Sequence, residues 1–120
     1  MSQIVSLHIN SDQPQKLVDF YQQVFNTEPE WSSEDGGGFM VNNFRLEILR
    51  HSEVSGKNND AARLFFDILV EDVTAELDRM VGLGAEVVQV PYNFSTEDME
   101  LTIATLSDPD GNYFQLVSLG

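Results

Sequence analysis

A chain of 120 residues with 20 acidic and six basic side chains carries a net charge of −14, which sets nucleic acid and anionic membranes aside as partners. Cysteine is absent, excluding a disulfide frame and any thiolate metal centre. An apolar fraction of 42% with eight Phe, three Tyr and one Trp fits a packed core rather than a disordered tail.

The chain opens on Met1-Ser2-Gln3 with no basic run, and no apolar stretch nears the ~18 residues a spanning helix needs, so a cytoplasmic protein is expected. Residues 4–10 alternate, Val5, Leu7 and Ile9 on one face and Ser6, His8 and Asn10 on the other, which predicts a strand. Ser11 or Asp12 then caps a helix with Pro14 in its first turn. Leu17, Phe20, Tyr21, Val24 and Phe25 form its apolar stripe, and Asn26 suits a left-handed stop. Strands are expected at 28–33, 38–41 and 44–50, with turns at 35–38 and at Asn42-Asn43. Gly36-Gly37-Gly38 lacks a following Lys-Ser/Thr and helix, so it reads as a hairpin and not a phosphate cradle.

Residues 51–60 are polar and form a connector, in which His51 is expected to be merely exposed. The order then repeats. Residues 62–70 read as a strand, and Asp72 caps a helix to about residue 82 with Val73, Leu77, Met80 and Val81 inward. Gly84 ends that helix, and strands follow at 85–90, 100–106 and 112–118. The last two flank the turn Asp108-Pro109-Asp110-Gly111-Asn112, where Pro109 presets φ, Asp108 accepts backbone N–H bonds and Gly111 takes φ > 0. The whole reads as one domain, 1–120, made of two βαβββ modules at about 1–55 and 60–120.

Strand periodicity gives each module an apolar face for its helix: Val5/Leu7/Ile9 and Phe44/Leu46/Ile48 in the first, Leu64/Phe66/Ile68/Val70 and Phe114/Leu116 in the second. The opposite face is mixed, carrying Ser6/His8/Asn10, Arg45/Glu47/Leu49, Phe65/Asp67/Leu69 and Tyr113/Gln115/Val117. Such a face either stands in water or, if the sheet curls, becomes a site.

The repeated βαβββ order, Phe20-Tyr21 in the first helix, Leu46-Glu47 in the fourth strand and the Asp108-Pro109-Asp110-Gly111-Asn112 turn together resemble the glyoxalase / bleomycin resistance / extradiol dioxygenase superfamily, the vicinal oxygen chelate fold. The resemblance covers essentially the whole chain, and the turn is its most specific element. It implies an α+β fold in which the two modules form a curved, cup-shaped mixed sheet with helices on the outer face, commonly as a homodimer. It also implies a divalent metal held by one side chain from each of the first, fourth, fifth and eighth strands. On this sequence those positions fall on Ser6, Glu47, Phe65 and Gln115, and only Glu47 keeps the family's residue type.

Phe65 has no lone pair to offer and both imidazoles of the pattern are missing, so no cofactor is expected. A substitute set of His8, Glu47 and Asp67 keeps a divalent metal as the alternative. The reading that follows is a metal-independent protein binding a small organic molecule, as the resistance-type members of the superfamily do. Phe65, Tyr113, Trp31 and Phe39 would give apolar and stacking surface, while Ser6, His8 and Gln115 would orient polar groups. Glu47 and Asp67 would meet a cationic part of the ligand, with Arg45 competing for Glu47. No catalytic residue is assigned. Glu47 and His8 are the candidates for a general base, should the protein be a lyase, isomerase or dioxygenase of glyoxalase type. A scaffold with an idle cup is the third class, and the acidity serves either a cationic ligand or solubility.

Overall fold

The computed structural model describes residues 2–120 and divides the chain into two compact units, Met1–Gly56 and Lys57–Gly120, each carrying one βαβββ run. In the first unit the elements are β1 (Ser6–Ser11), α1 (Pro14–Phe25), β2 (Trp31–Ser33), β3 (Gly36–Val41) and β4 (Phe44–Arg50). They build a four-stranded sheet of order β1-β4-β3-β2, parallel between β1 and β4 and antiparallel elsewhere.

α1 starts at Pro14, whose missing N–H falls where no intrahelical partner exists. Gln13, not Ser11 or Asp12, is the residue at the helix boundary, and its backbone N–H donates to Ser11 Oγ at 2.9 Å. The hydroxyl thus braces the residue before the helix instead of capping its first turn. The helix ends at Asn26, which takes φ 50° and ψ 47° as a left-handed cap. Leu17, Val18, Phe20, Tyr21 and Val24 are buried and pack on β3 and β4, against Phe39, Leu46 and Ile48. Each such fully buried side chain contributes about 1.5–3 kcal/mol of transfer free energy. Phe44 and Val5, assigned to this apolar face from periodicity, are instead exposed, Phe44 at the start of β4 and Val5 just ahead of β1.

The second unit opens with a short 3-10 turn, Ala61–Arg63, followed by β5 (Phe66–Leu69), α2 (Val73–Gly82), β6 (Glu86–Ser95), β7 (Glu100–Ser107) and β8 (Tyr113–Leu119). Its sheet has the order β5-β8-β7-β6, with β5 parallel to β8. The expected strand at 62–70 is therefore only four residues long. Asp60 accepts from Arg63, through both its backbone carbonyl and its side chain, and this winds the preceding segment, leaving Leu64 78% exposed.

Asp72 caps α2 as expected, accepting the Ala75 N–H at 3.1 Å, and Gly84 follows the helix at φ 113°. Val73 and Met80 are buried inward, whereas Val81 points to solvent. α2 packs on β6, β7 and β8 over Ala104, Leu106, Phe114 and Leu116, and the rings of Phe66 and Phe114 stack at 6.2 Å. β6 runs five residues beyond the expected 85–90, through Pro91, and its register against β7 shifts twice, between Val87 and Gln89 and between Gln89 and Tyr92. It forms an edge of the sheet. Proline is tolerated at such an edge because the outward N–H has no ladder partner to lose.

The turn from β7 to β8 closes on one carboxylate. Asp108 Oδ1 accepts the N–H groups of Asp110 at 2.9 Å and Asn112 at 3.0 Å, and Oδ2 accepts Asn112 Nδ2 at 3.0 Å. Gly111 sits at φ 81° and donates to the Asp108 carbonyl. Asn58 reaches the same turn, donating to the Asp110 carbonyl and to Asn112 Oδ1.

Candidate functional site

Register decides which side chains share a face. In the first unit Ser6 pairs with Arg45 and His8 with Glu47, while across β4 Glu47 faces Gly38, which in turn faces Trp31. Ser6, His8, Arg45, Glu47 and Trp31 thus lie together on the side opposite α1. Phe39 does not. It pairs with Leu46 on the helix side, has 0% exposure and belongs to the core, which corrects its assignment to the ligand surface.

The open face is dominated by a chain of charge-assisted hydrogen bonds. Arg45 Nη1 donates to Glu30 Oε1 at 2.6 Å and Arg45 Nε to Glu47 Oε1 at 2.9 Å, while Trp31 Nε1 donates to Glu47 Oε2 at 3.0 Å. The bond to Glu30 first, then that to Glu47, raises the Arg45 pKa above its ordinary value, so the guanidinium stays charged. Each Glu47 oxygen already accepts a bond, and its side chain is only 14% exposed. The cluster is possible because residue 38 is glycine: a Cβ there would lie 2.3 Å from Trp31 Nε1 and 2.6 Å from Glu47 Oε2.

Gly38→Ala is accordingly expected to break the Trp31–Glu47 bond and lower stability by about 1–3 kcal/mol. Trp31 is the chain's one tryptophan, so its emission reports directly on this contact and should shift to longer wavelength in the variant. An unchanged emission spectrum would show that the indole is not held there.

In the second unit Asp67 pairs with Gln115 and Leu69 with Val117, and Gln115 pairs with Thr105 across β7. Gln115 Nε2 donates to Thr105 Oγ1 at 3.3 Å. Tyr113, two residues before Gln115, shares its face; Phe65, two before Asp67, lies just ahead of β5 and is 41% exposed. Periodicity also places here residues that the sequence reading passed over: Ile103 and Leu101 of β7, paired with Tyr92 and Phe94 of β6. Tyr92 and Phe94 lie beyond the strand expected at 85–90, in the part of β6 that continues past Pro91. Their alternation with Asn93 was the available signal.

Among the described residues no group of three or more His, Asp or Glu side chains is arranged to hold an ion. At Glu47 a divalent cation would also sit against the Arg45 guanidinium. Ser6 and Gln115 are weak neutral donors and Phe65 is none.

The fold and these faces place the chain in a known class. The sequence matches the family model of the glyoxalase-like domain over residues 6–117, and the chain belongs to that family. No curated protein sequence matches it. Among solved structures it is similar to a glyoxalase/bleomycin resistance protein/dioxygenase family enzyme from Burkholderia phytofirmans, at 19% identity and TM-score 0.81, covering 99% of this chain and 100% of that one. A glyoxalase-related enzyme from Fulvimarina pelagi gives 14% identity and TM-score 0.77, over 98% of this chain and 88% of that one. The fosfomycin resistance protein FosX from Listeria monocytogenes gives 16% and 0.70, over 100% and 93%. The architecture is therefore the α+β glyoxalase/bleomycin resistance fold, with two four-stranded mixed sheets and two helices. No helix among the described residues is long and apolar enough to cross a membrane.

Proposed function

We propose that the protein binds a small organic molecule without a metal cofactor, as the metal-free binders of the superfamily it resembles do. The observation that carries this reading is the state of Glu47. The carboxylate at the family's fourth-strand metal position accepts from Arg45 through one oxygen and from Trp31 through the other. It is built into a hydrogen-bonded wall rather than presented to an ion. The same bonds set the indole of Trp31 on the open face as a stacking surface for an apolar or aromatic ligand. A cytoplasmic, homodimeric protein is the setting this proposal adopts.

An enzymatic reading, as lyase, isomerase or dioxygenase, draws its support from the relatives and from His8. That imidazole pairs with Glu47 in register yet makes no hydrogen bond to any described residue. Metal analysis separates the two. Purified protein is expected to contain well under one equivalent of metal, and its melting temperature should not move when zinc, nickel, manganese or iron(II) is added. Stoichiometric metal, or a melting temperature that climbs with metal concentration, would overturn the proposal and make His8, Glu47 and Asp67 ligand candidates.

A further inference from the structure

We infer that the open face of the C-terminal sheet recognises an ammonium group attached to an aromatic or aliphatic body, with Asp67 as the counter-ion. The inference rests on the proposed binding function and names the ligand class and the side chains that select it.

Glu47 is poorly suited to this task, since its charge is already met by Arg45 at 2.9 Å. The second sheet differs. Among its described residues, β5, β6, β7 and β8 contain no Lys, Arg or His. Glu86 and Glu100 open their strands, whereas Asp67 is the one charged side chain within a strand interior. No described residue gives it a hydrogen bond or an ion pair. Arg45, Arg50, Arg63 and Arg79 are each paired with a carboxylate elsewhere.

The neighbours of Asp67 suit a cation bound to carbon. Gln115, its register partner, uses its amide N–H on Thr105 and thereby turns Oε1 into the acceptor left for a ligand N–H. Tyr113 stands one row away on β8, at a spacing over which a ring and an ammonium interact, and Phe65 precedes Asp67 by two residues just ahead of β5. Leu69 and Val117 form the row on the other side, an aliphatic surface for the ligand body. A carboxylate between an aromatic row and an aliphatic row, with an amide acceptor beside it, matches a protonated amine and rejects an anion. The net charge of −14 adds attraction at longer range.

Ligand-observed NMR titration of the full chain with benzylamine, benzyl alcohol and benzoate tests this. Benzylamine is expected to bind at least ten times more tightly than benzyl alcohol, and benzoate not to bind. Asp67→Asn should bring benzylamine to the level of benzyl alcohol and leave the alcohol unchanged. Asp78→Asn, on the exposed side of α2, removes the same charge and should leave the preference intact. Tyr113→Leu should reduce the preference about threefold. Asp67 is exposed and partnerless, so its variant should fold, as circular dichroism will show.

Equal binding of amine and alcohol would overturn the ammonium site while leaving a neutral-ligand binder standing. Persistence of the preference in Asp67→Asn, or its loss in Asp78→Asn, would overturn the assignment to this face. Failure of benzylamine to bind saturably would overturn it as well. The metal titration described above is the separate measurement on which the binder reading itself fails or stands.

Discussion

Gly36→Ala is expected to cost about 3 kcal/mol or more, the largest effect of a methyl group added at any of the glycines. The new Cβ would lie 1.9 Å from the carbonyl oxygen of Ile48 and 2.9 Å from its carbon. Both are backbone atoms of β4, the strand that pairs with β1 on one side and β3 on the other. β4 has no direction in which to retreat without stretching a ladder. Gly36 also sits at φ 149°, a conformation that side chains rarely adopt. Against a typical total of about 5–15 kcal/mol, such a loss removes roughly a fifth to three-fifths of the stability. Urea denaturation followed by circular dichroism measures it. Gly56→Ala is the control, having φ 69° but nothing within 4 Å of the added carbon, and should cost about 1 kcal/mol. If the two variants lose the same amount, the close approach at Gly36 has no energetic consequence.

Asp108→Ala should cost somewhat less, about 2–3 kcal/mol, by a different route. The residue is 4% exposed, and its carboxylate answers the N–H groups of Asp110 and Asn112 and the amide of Asn112. Alanine would leave those donors without their acceptor in a turn too tight to admit solvent freely. The damage should spread to Asn58, which bonds both Asp110 and Asn112. Asp108→Asn keeps one side-chain oxygen and should recover part of the loss. Denaturant midpoints of the three proteins rank them, and an alanine variant as stable as the asparagine one would mean that the carboxylate is not the organising group.

The parts of this fold legible in the sequence are those with local causes. Pro14, Asn26, Asp72 and the Asp108 turn all act within a few residues of themselves, and each stands where periodicity and capping rules put it. The misplacements have equally definite origins. Phe39 follows three glycines, which carry no polar or apolar mark, so the phase of β3 was set only by its pairing with Leu46. The strand expected at 85–90 runs on to Ser95 through Pro91, which an edge with register shifts accommodates. The face bearing Ser6, His8, Arg45 and Glu47 followed from alternation alone. The bond from Trp31 to Glu47 did not, because it joins residues 16 apart across β3 at a position only a glycine leaves open.

β6 presents Val87, Val88, Val90, Tyr92 and Phe94 to solvent along an edge strand, the composition that favours fibrous self-association. A fibril spine needs about six or seven consecutive residues able to stack flat and bond in register. The two register shifts and Pro91 deny that length: the longest unbroken run against β7 is the four residues from Tyr92 to Ser95. A second strand laid along this edge would lose its alignment before it gained a stable zipper. The irregularity that disguised β6 in the sequence is thus also what keeps its apolar side chains from seeding an amyloid-like stack.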